Sequence, residues 1–410
     1  MKRIQAYKFE LMPNGSQIRA MSQYAGACRF VYNKALGWQN DQYQADNTFK
    51  FSYTKIANLL PHWKEELTWL KDAPSQSLQQ SLKNLESSFR NFFVKRAAFP
   101  RFKKKGMNDS FRIPQGFKIE QHNNRLFLPK LGWVRYRNSR EIIGVVKNIM
   151  VTQKCGKWYV SIQSELEVEQ PVHSSKTAVG IDVGVARFAT LSDGQVFLAI
   201  NSFKQKQVRL ARYQRVLSRN VKFSNNWKKQ QHKITKLHST IANIRKDYLH
   251  KTTTNISQNH AMIVIEDLKV RNMTKSAKGT LENKGSNVKA KSGLNRSILD
   301  QGWYEFRRQI EYKQQWLGGD VLAVPPHYTS QRCSCCGTVS KDNRKTQARF
   351  ACISCDVEIS ADLNAARNIL AAGHAVLACG EAVQSDPSVK HEPTEGIRNS
   401  SRIPVGISAL

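Results

Sequence analysis

AVGIDVGVARFATLSDG (178–194), AMIVIEDLKV (261–270) and ISADLNAARNIL (359–370) decide how this chain folds. The first two open as short apolar runs of the kind that a buried strand shows. Asp182 sits inside the first, with apolar residues on both sides, and the second ends on Glu266-Asp267. The third opens a helix with Asp362 near its start. A carboxylate in an apolar strand is desolvated unless it is paired or metal-bound. Two strand positions and one helix start can converge on one side of a sheet, where three acids would hold one or two Mg²⁺ ions through hard oxygen ligands. Two such ions about 4 Å apart clamp the attacking water and the leaving 3′ oxygen of a phosphodiester. Taken singly, each acid has a plainer role. Asp362 could be an N-cap, and Glu266 or Asp267 could mark the exit of a strand into solvent. The order and spacing of all three carry the reading.

Between the second and third segments lies a cysteine cluster. Cys333-x2-Cys336, fifteen residues, then Cys352-x2-Cys355 is a zinc-ribbon spacing. Four thiolates on two tight knuckles surround one Zn²⁺ tetrahedrally, and a fully sulfur-filled shell is structural rather than catalytic. Cys335 would enter the shell only by distorting its knuckle, so it is read as a non-ligand. Five of the chain's eight cysteines fall within 23 residues, in a sequence without an export signal, which points to metal rather than to disulfides.

The 410 residues carry 64 Lys and Arg against 31 acids, a formal charge of +33. An excess of that size draws polyanions and sets this chain apart from ordinary metabolic enzymes. It leaves open a basic protein that only binds nucleic acid. No 18-residue apolar run spans a membrane, and MKRIQAYKFEL lacks the core of a signal peptide, so the expected location is the cytoplasm, on the nucleoid when bound to DNA.

Residues 4–11 alternate like a strand, Met12-Pro13-Asn14-Gly15 breaks the chain, and helical spacing follows to about residue 96. Strand-like text returns over 107–166, with a hairpin at Cys155-Gly156. Residues 1–12 and 97–175 therefore read as one β domain with a helical insertion, 13–96. Residues 203–258 read as helical, with 14 Lys and Arg and one acid, Asp247. One sign of charge dominates, so Lys204, Arg209, Arg212, Arg215, Arg219, Lys228, Lys229, Lys233 and Lys236 are expected to track phosphates. Residues 274–296 read as a mobile loop or lid. A helix through Trp303–Trp316 and a strand at 320–324 follow, and residues 379–410 are expected to be disordered.

These segments together resemble the TnpB family, the RNA-guided nucleases of bacterial insertion sequences, related to type V CRISPR effectors. CRFVYNKAL (28–36), FPRFKKKG (99–106), GIDVGV (180–185), IVIEDLKV (263–270), SILDQGW (297–303), YTSQRCSCCG (328–337) and ADLNAARNIL (361–370) follow in that family's order. The resemblance implies an α+β multidomain fold: a β-barrel wedge domain with a helical recognition insertion, then an RNase H-like (RuvC) domain over 176–327 and 358–378 with a zinc ribbon at 328–357. It implies catalysis by Asp182, Glu266 and Asp362, a guide RNA from the end of the same element, and cleavage of duplex target DNA beside a short target-adjacent motif. A separate transposase encoded by the same element is a further expected partner. One departure is visible: Asp356 stands where family members often carry Gly after the fourth cysteine.

Motif reading is expected in the N-terminal half. Gln76, Gln79 and Gln80 follow Pro74 on a helix, with Tyr53, Thr54 and Lys83 in the same region. Glutamine can pair bidentately with adenine, although ordinary solvent-facing amides would look the same in sequence. Lys103-Lys104-Lys105 forms a second basic candidate. The intact acid triad argues against a catalytically silent guided repressor, and no element-end recognition is visible to favour a transposase proper.

Overall fold

The computed structural model describes residues 1–385, with side chains to residue 378. The chain divides into two compact units, Met1–Glu169 and Gln170 onward.

In the first unit, β1 (Lys2–Met12) leads into α1 (Gly15–Ala45), α2 (Tyr53–Glu66), a 3-10 turn at Thr68–Asp72 and α3 (Ser75–Phe93). Six strands follow: β2 (Ser110–Ile113), β3 (Lys118–Glu120), β4 (Arg125–Leu128), β5 (Gly132–Tyr136), β6 (Val145–Lys154) and β7 (Lys157–Glu167). Alternation in β1 puts Tyr7, Phe9 and Leu11 into the core and the intervening residues outside it. Asn14 ends the strand and starts α1 through a reciprocal capping box with Gln17. Cys155 and Gly156 both have positive φ, the geometry that lets a two-residue turn join β6 to β7. Strand β1 is the link between distant parts of the sequence, since it pairs with β7 on one side and β5 on the other. One hydrophobic core joins the sheet to α1–α3, with Met21, Leu36, Leu78, Leu85 and Phe89 packed with Val134, Tyr136 and Val160.

The strand order is β2-β6-β7-β1-β5-β4-β3, with every neighbouring pair antiparallel. The expected β-barrel is not seen: among the described residues no ladder joins β2 to β3, so the sheet is open. The two end strands have only four and three residues, and each pairs along its length with one neighbour.

The second unit holds β8 (Ala178–Val183), β9 (Arg187–Leu191), β10 (Val196–Leu198), α4 (Ser202–Arg219), α5 (Asn225–Asn259), β11 (Met262–Glu266), α6 (Val270–Met273), α7 (Val288–Gln301), α8 (Trp303–Leu317), β12 (Asp320–Val324), β13 (Arg349–Ala351), β14 (Glu358–Ser360) and α9 (Ala361–Ser385). Its main sheet runs β10-β9-β8-β11-β12. Strands β8, β11 and β12 are parallel, while β9 and β10 fold back as a hairpin. Val179, Ile181, Ile263 and Ile265 pack with Phe188, Phe306 and Ile310 on one side of this sheet. Val264, Val324 and Ile369 form a second cluster on α9.

Two expectations change with the structure. The loop expected over 274–296 is shorter, because α7 begins at Val288. Its lysines, alanine and leucines are good helix formers that a count of apolar residues underrates. The expected tail, 379–410, is helical to Ser385 and otherwise lies outside the described residues. Among the described residues no helix is long and apolar enough to cross a membrane.

Candidate active site and metal centre

Parallel pairing aligns β8 with β11 so that Ile181 faces Ile265. One residue further along each strand stand Asp182 and Glu266, at the carboxyl ends of neighbouring central strands. The third acid arrives on α9, which lies directly on β8. A β-carbon at Gly180 would stand 2.2 Å from the Ala366 carbonyl oxygen, and one at Gly373 would meet Val264 at 2.5 Å. These two glycines let helix and sheet approach at backbone distance. Asp362 lies one helical turn before Ala366 and so projects near the same end of the sheet.

All three acids are half-buried. Burial pushes the Asp182 carboxyl up to about 7, and the negative charges of Glu266 and Asp362 push it the same way. Arg344, from the segment carrying the cysteines, and the Val183 N–H pull it back down. The carboxylates thus sense one another, yet their oxygens do not form a cluster lying within 4.8 Å of one another. Asp182, Glu266 and Asp362 offer carboxylate oxygens, the hard donors that a divalent cation such as Mg²⁺ takes.

The structure also separates Glu266 from its neighbour Asp267. Arg307 donates to Asp267 at 2.7 Å, and Lys269 pairs with it too, holding its carboxyl below the usual range. Glu266 instead accepts from the Thr329 hydroxyl at 2.6 Å. Thr329 is held in turn: Asn368 on α9 donates to its carbonyl and to that of Arg332. Asn364 donates to Arg332 and accepts from the Ser334 N–H. Sequence reasoning missed Thr329, Asn364 and Asn368. The signal was present as two asparagines four residues apart on a helix that otherwise favours alanine and leucine, since mid-helix asparagine usually marks a polar contact. Arg187, 3.7 Å from Asp362, was missed as well.

The four expected cysteines come together, and among the described residues theirs is the one such cluster of metal-ligating groups. Cys333 and Cys355 lie 3.7 Å apart, and Cys336 and Cys352 3.5 Å. A tetrahedral sulfur shell at ordinary Zn–S distance has edges of about 3.8 Å, so the cluster fits a structural zinc. The N–H groups of Cys335 and Ser354 each donate to the first cysteine of their knuckle, as tight turns require. Cys335 is exposed and outside the cluster. Gly337 and Asp356 occupy equivalent positions after the two knuckles, at φ +80° and +54°. The departure at Asp356 therefore places a non-glycine residue in the left-handed region.

The expected nucleic-acid residues fall on three surfaces. In the second unit α4 and α5 form a hairpin around Leu210, Leu237 and Ile241. Lys204, Arg209, Arg212, Arg215, Arg219, Lys228, Lys229, Lys233 and Lys236 are all exposed on it. None of the nine has a carboxylate within 4.0 Å among the described residues. The N-terminus of α4, which lacks a cap of its own, is capped by buried Asp300, whose carboxylate accepts from the N–H groups of Phe203 and Lys204 and from the Ser202 hydroxyl. In the first unit Gln76, Gln80 and Lys83 share a face of α3, where Gln79 and Lys83 are exposed and Gln76 and Gln80 half-buried. Lys83 reaches over the Tyr53 ring, and Thr54 is exposed beside it. Lys103 is engaged differently, its ammonium lying 3.9 Å from the Tyr32 ring centre. Lys104 and Lys105 are exposed.

Three stretches of the chain match known protein families. A family described as "Probable transposase" matches residues 161–277, a "Cas12f1-like, TNB domain" matches 303–369, and a "Helix-turn-helix domain" matches 1–48. In this structure residues 1–48 form β1 and α1, without a second helix. The chain is 64% identical over 400 residues to the "Putative RNA-guided DNA endonuclease InsQ" of Escherichia coli K12, covering 97% of this chain and 99% of that protein. It is 32% identical to a "Putative RNA-guided DNA endonuclease" of Streptomyces pristinaespiralis, over 97% and 98% of the two chains. Among solved structures, Cas12f1 in its complex with single-guide RNA and target DNA matches with a TM-score of 0.54 at 15% identity, covering 86% of this chain and 82% of that one, a likeness of fold. The chain belongs to the TnpB family, the OrfB proteins of IS605-type elements, to which Cas12f1 is related.

Proposed function

We propose that this protein is an RNA-guided, Mg²⁺-dependent DNA endonuclease of a transposable element, working in the bacterial cytoplasm and cutting duplex DNA beside a short target-adjacent motif. One observation carries the reading. Asp182 and Glu266 end neighbouring parallel strands, and the helix bearing Asp362 lies on the first of them. The sheet order, a hairpin followed by parallel strands, supports an RNase H-like (RuvC) nuclease domain over 176–327 and 358–378. Residues 328–357 serve as the zinc ribbon, 1–12 and 97–175 as the wedge-like domain, and 13–96 as the recognition insertion.

Asp182, Glu266 and Asp362 would hold the Mg²⁺, which when bound supplies the positive charge that activates water and stabilises the leaving oxygen. Thr329 orients Glu266 by donating to one oxygen, leaving the other free for metal. Cys333, Cys336, Cys352 and Cys355 hold the zinc that braces the segment from which Arg344 faces Asp182. Exposed cations of α4 and α5 track the guide RNA or its duplex with target DNA. Gln76, Gln79, Gln80, Tyr53, Thr54 and Lys83 read the target-adjacent motif. An element-encoded transposase is the expected companion.

The test is purification after expression with the element's flanking DNA. RNA that co-purifies is sequenced, and duplexes matching its variable end are offered with Mg²⁺. Matched duplexes are expected to be cut and mismatched ones spared. Cutting that persists after the RNA is removed would favour a transposase proper, and guided binding without any cutting would favour a repressor.

A further inference from the structure

The geometry points to a second recognition element beside the acids: a pocket that takes one unstacked base of the strand being cut, with Tyr304 as its stacking platform. This rests on the nuclease reading above. The pocket is a cavity of about 430 Å³ within the second unit. Its apolar walls include Ile181 and Ile265, each immediately before an acid, and Trp303 and Phe306 from the first turns of α8. Glu266 lines the cavity at the carboxyl end of β11, so the pocket, on the α8 side of the sheet, reaches one of the three acids.

Its rim combines an exposed aromatic ring with a free cation. Tyr304 lines the pocket and is 74% exposed, an unusual cost for a ring at the start of an otherwise well-packed helix. Arg271, also at the rim, has no carboxylate within 4.0 Å among the described residues. Its neighbours Lys269 and Arg307 are both committed to Asp267. An apolar slot bordered by an aromatic ring, a cation and a metal-binding carboxylate is complementary to a flat heterocycle joined to phosphate. An aliphatic chain would leave the cation unused, and an acidic peptide would leave the slot unfilled. A phosphate at the acids carries its own base within one nucleotide's reach. Drawing that base out of the stack would fix which phosphate lies over Asp182 and Glu266. Tyr304 is then a positioning residue, acting on the strand rather than on the metal.

The experiment uses the protein with its co-purified RNA and a set of matched targets, each with one abasic site near the cut. Wild type and Tyr304→Phe are expected to lose about five-fold or more in cutting rate at one abasic position, the size of one base–aromatic stack. Tyr304→Ala is expected to show a similar loss on the intact target and no further loss at that position, while Tm and zinc content stay at wild-type values. Losses that simply multiply at every position, or a Tyr304→Ala protein that cuts like wild type, would overturn the pocket while leaving guided cutting intact. If wild type cuts nothing, the nuclease reading fails first. The pocket is then tested alone by a single-stranded oligonucleotide bearing 2-aminopurine, whose fluorescence wild type should quench and Tyr304→Ala should not. Equal quenching by both proteins overturns it.

Discussion

Gly180 and Ala366 touch backbone to backbone: a β-carbon on Gly180 would lie 2.2 Å from the Ala366 carbonyl oxygen and 2.6 Å from the Leu370 nitrogen. This contact sets the spacing of the candidate active site, because Asp182 follows Gly180 by two residues and Asp362 precedes Ala366 by one turn. Gly180→Ala is expected to push α9 off β8, costing about 1–3 kcal/mol. Cutting should fall further than folding does at an assay temperature well below Tm, since the acids separate. Thermal melts and cleavage rates on the same preparation check this, and an unchanged Tm would contradict the contact.

Asp182→Ala, Glu266→Ala and Asp362→Ala are each expected to abolish cleavage while guide and target binding persist. The acids also predict a pH effect on stability. Asp182 ionises near 7 in the metal-free fold, above its ordinary value, so the fold favours its protonated form. Metal-free stability should therefore fall as pH rises from about 4 to 7 and then level off. In chelator at pH 8, Asp182→Asn should be the more stable protein by a few kcal/mol, with the gap closing toward pH 4. Mg²⁺ should reverse that order at pH 8 by stabilising the ionised acid. Denaturant titrations at both pH values read the result, and a pH-independent gap would remove the like-charge account.

Cys333→Ser and Cys352→Ser are expected to release zinc and unfold the ribbon, whose own core is little more than Phe350 and Ala361. Elemental analysis should find one zinc per wild-type chain. Asp356 offers a finer test. At φ +54° a β-branched residue is strained, while glycine is free. Asp356→Gly should hold zinc at least as well as wild type against a chelator, and Asp356→Val should lose it faster. The opposite ranking would mean that the Asp356 carboxylate contributes something its backbone does not.

Replacing Arg212, Arg215 and Lys233 with Gln is expected to weaken binding of every guide sequence alike. Each phosphate left without its cation should flatten the dependence of log affinity on log salt by about 0.7–0.9, so the triple variant should lose roughly two to three units of slope. Asp300→Ala provides a contrast, since it removes no cation but frees the N-terminus of α4. It should weaken binding with little change in slope. Wild-type affinity of the triple variant at all salt concentrations would move the guide to another surface.

Much of this chain was legible in its sequence because the relevant physics is local. Two C-x2-C knuckles close on themselves, so the zinc cluster follows from spacing. Alternation in β1 needs only neighbouring residues. Asp182 and Glu266 were legible as charges placed in apolar strands, and Asp362 as an acid at a helix start. Tertiary structure decided what depends on contacts between distant segments. Register between β8 and β11 sets Glu266 beside Asp182, and Thr329 and Arg307 give Glu266 and Asp267 different partners. The glycines that bring α9 onto the sheet look like any others in the sequence, and their meaning appears only with Ala366 and Val264 opposite them. The open seven-stranded sheet, the Asp300 cap on α4 and the pocket behind Glu266 are likewise products of packing. Each joins residues tens to hundreds of positions apart, and a pattern that repeats every two or four residues carries no information at that range.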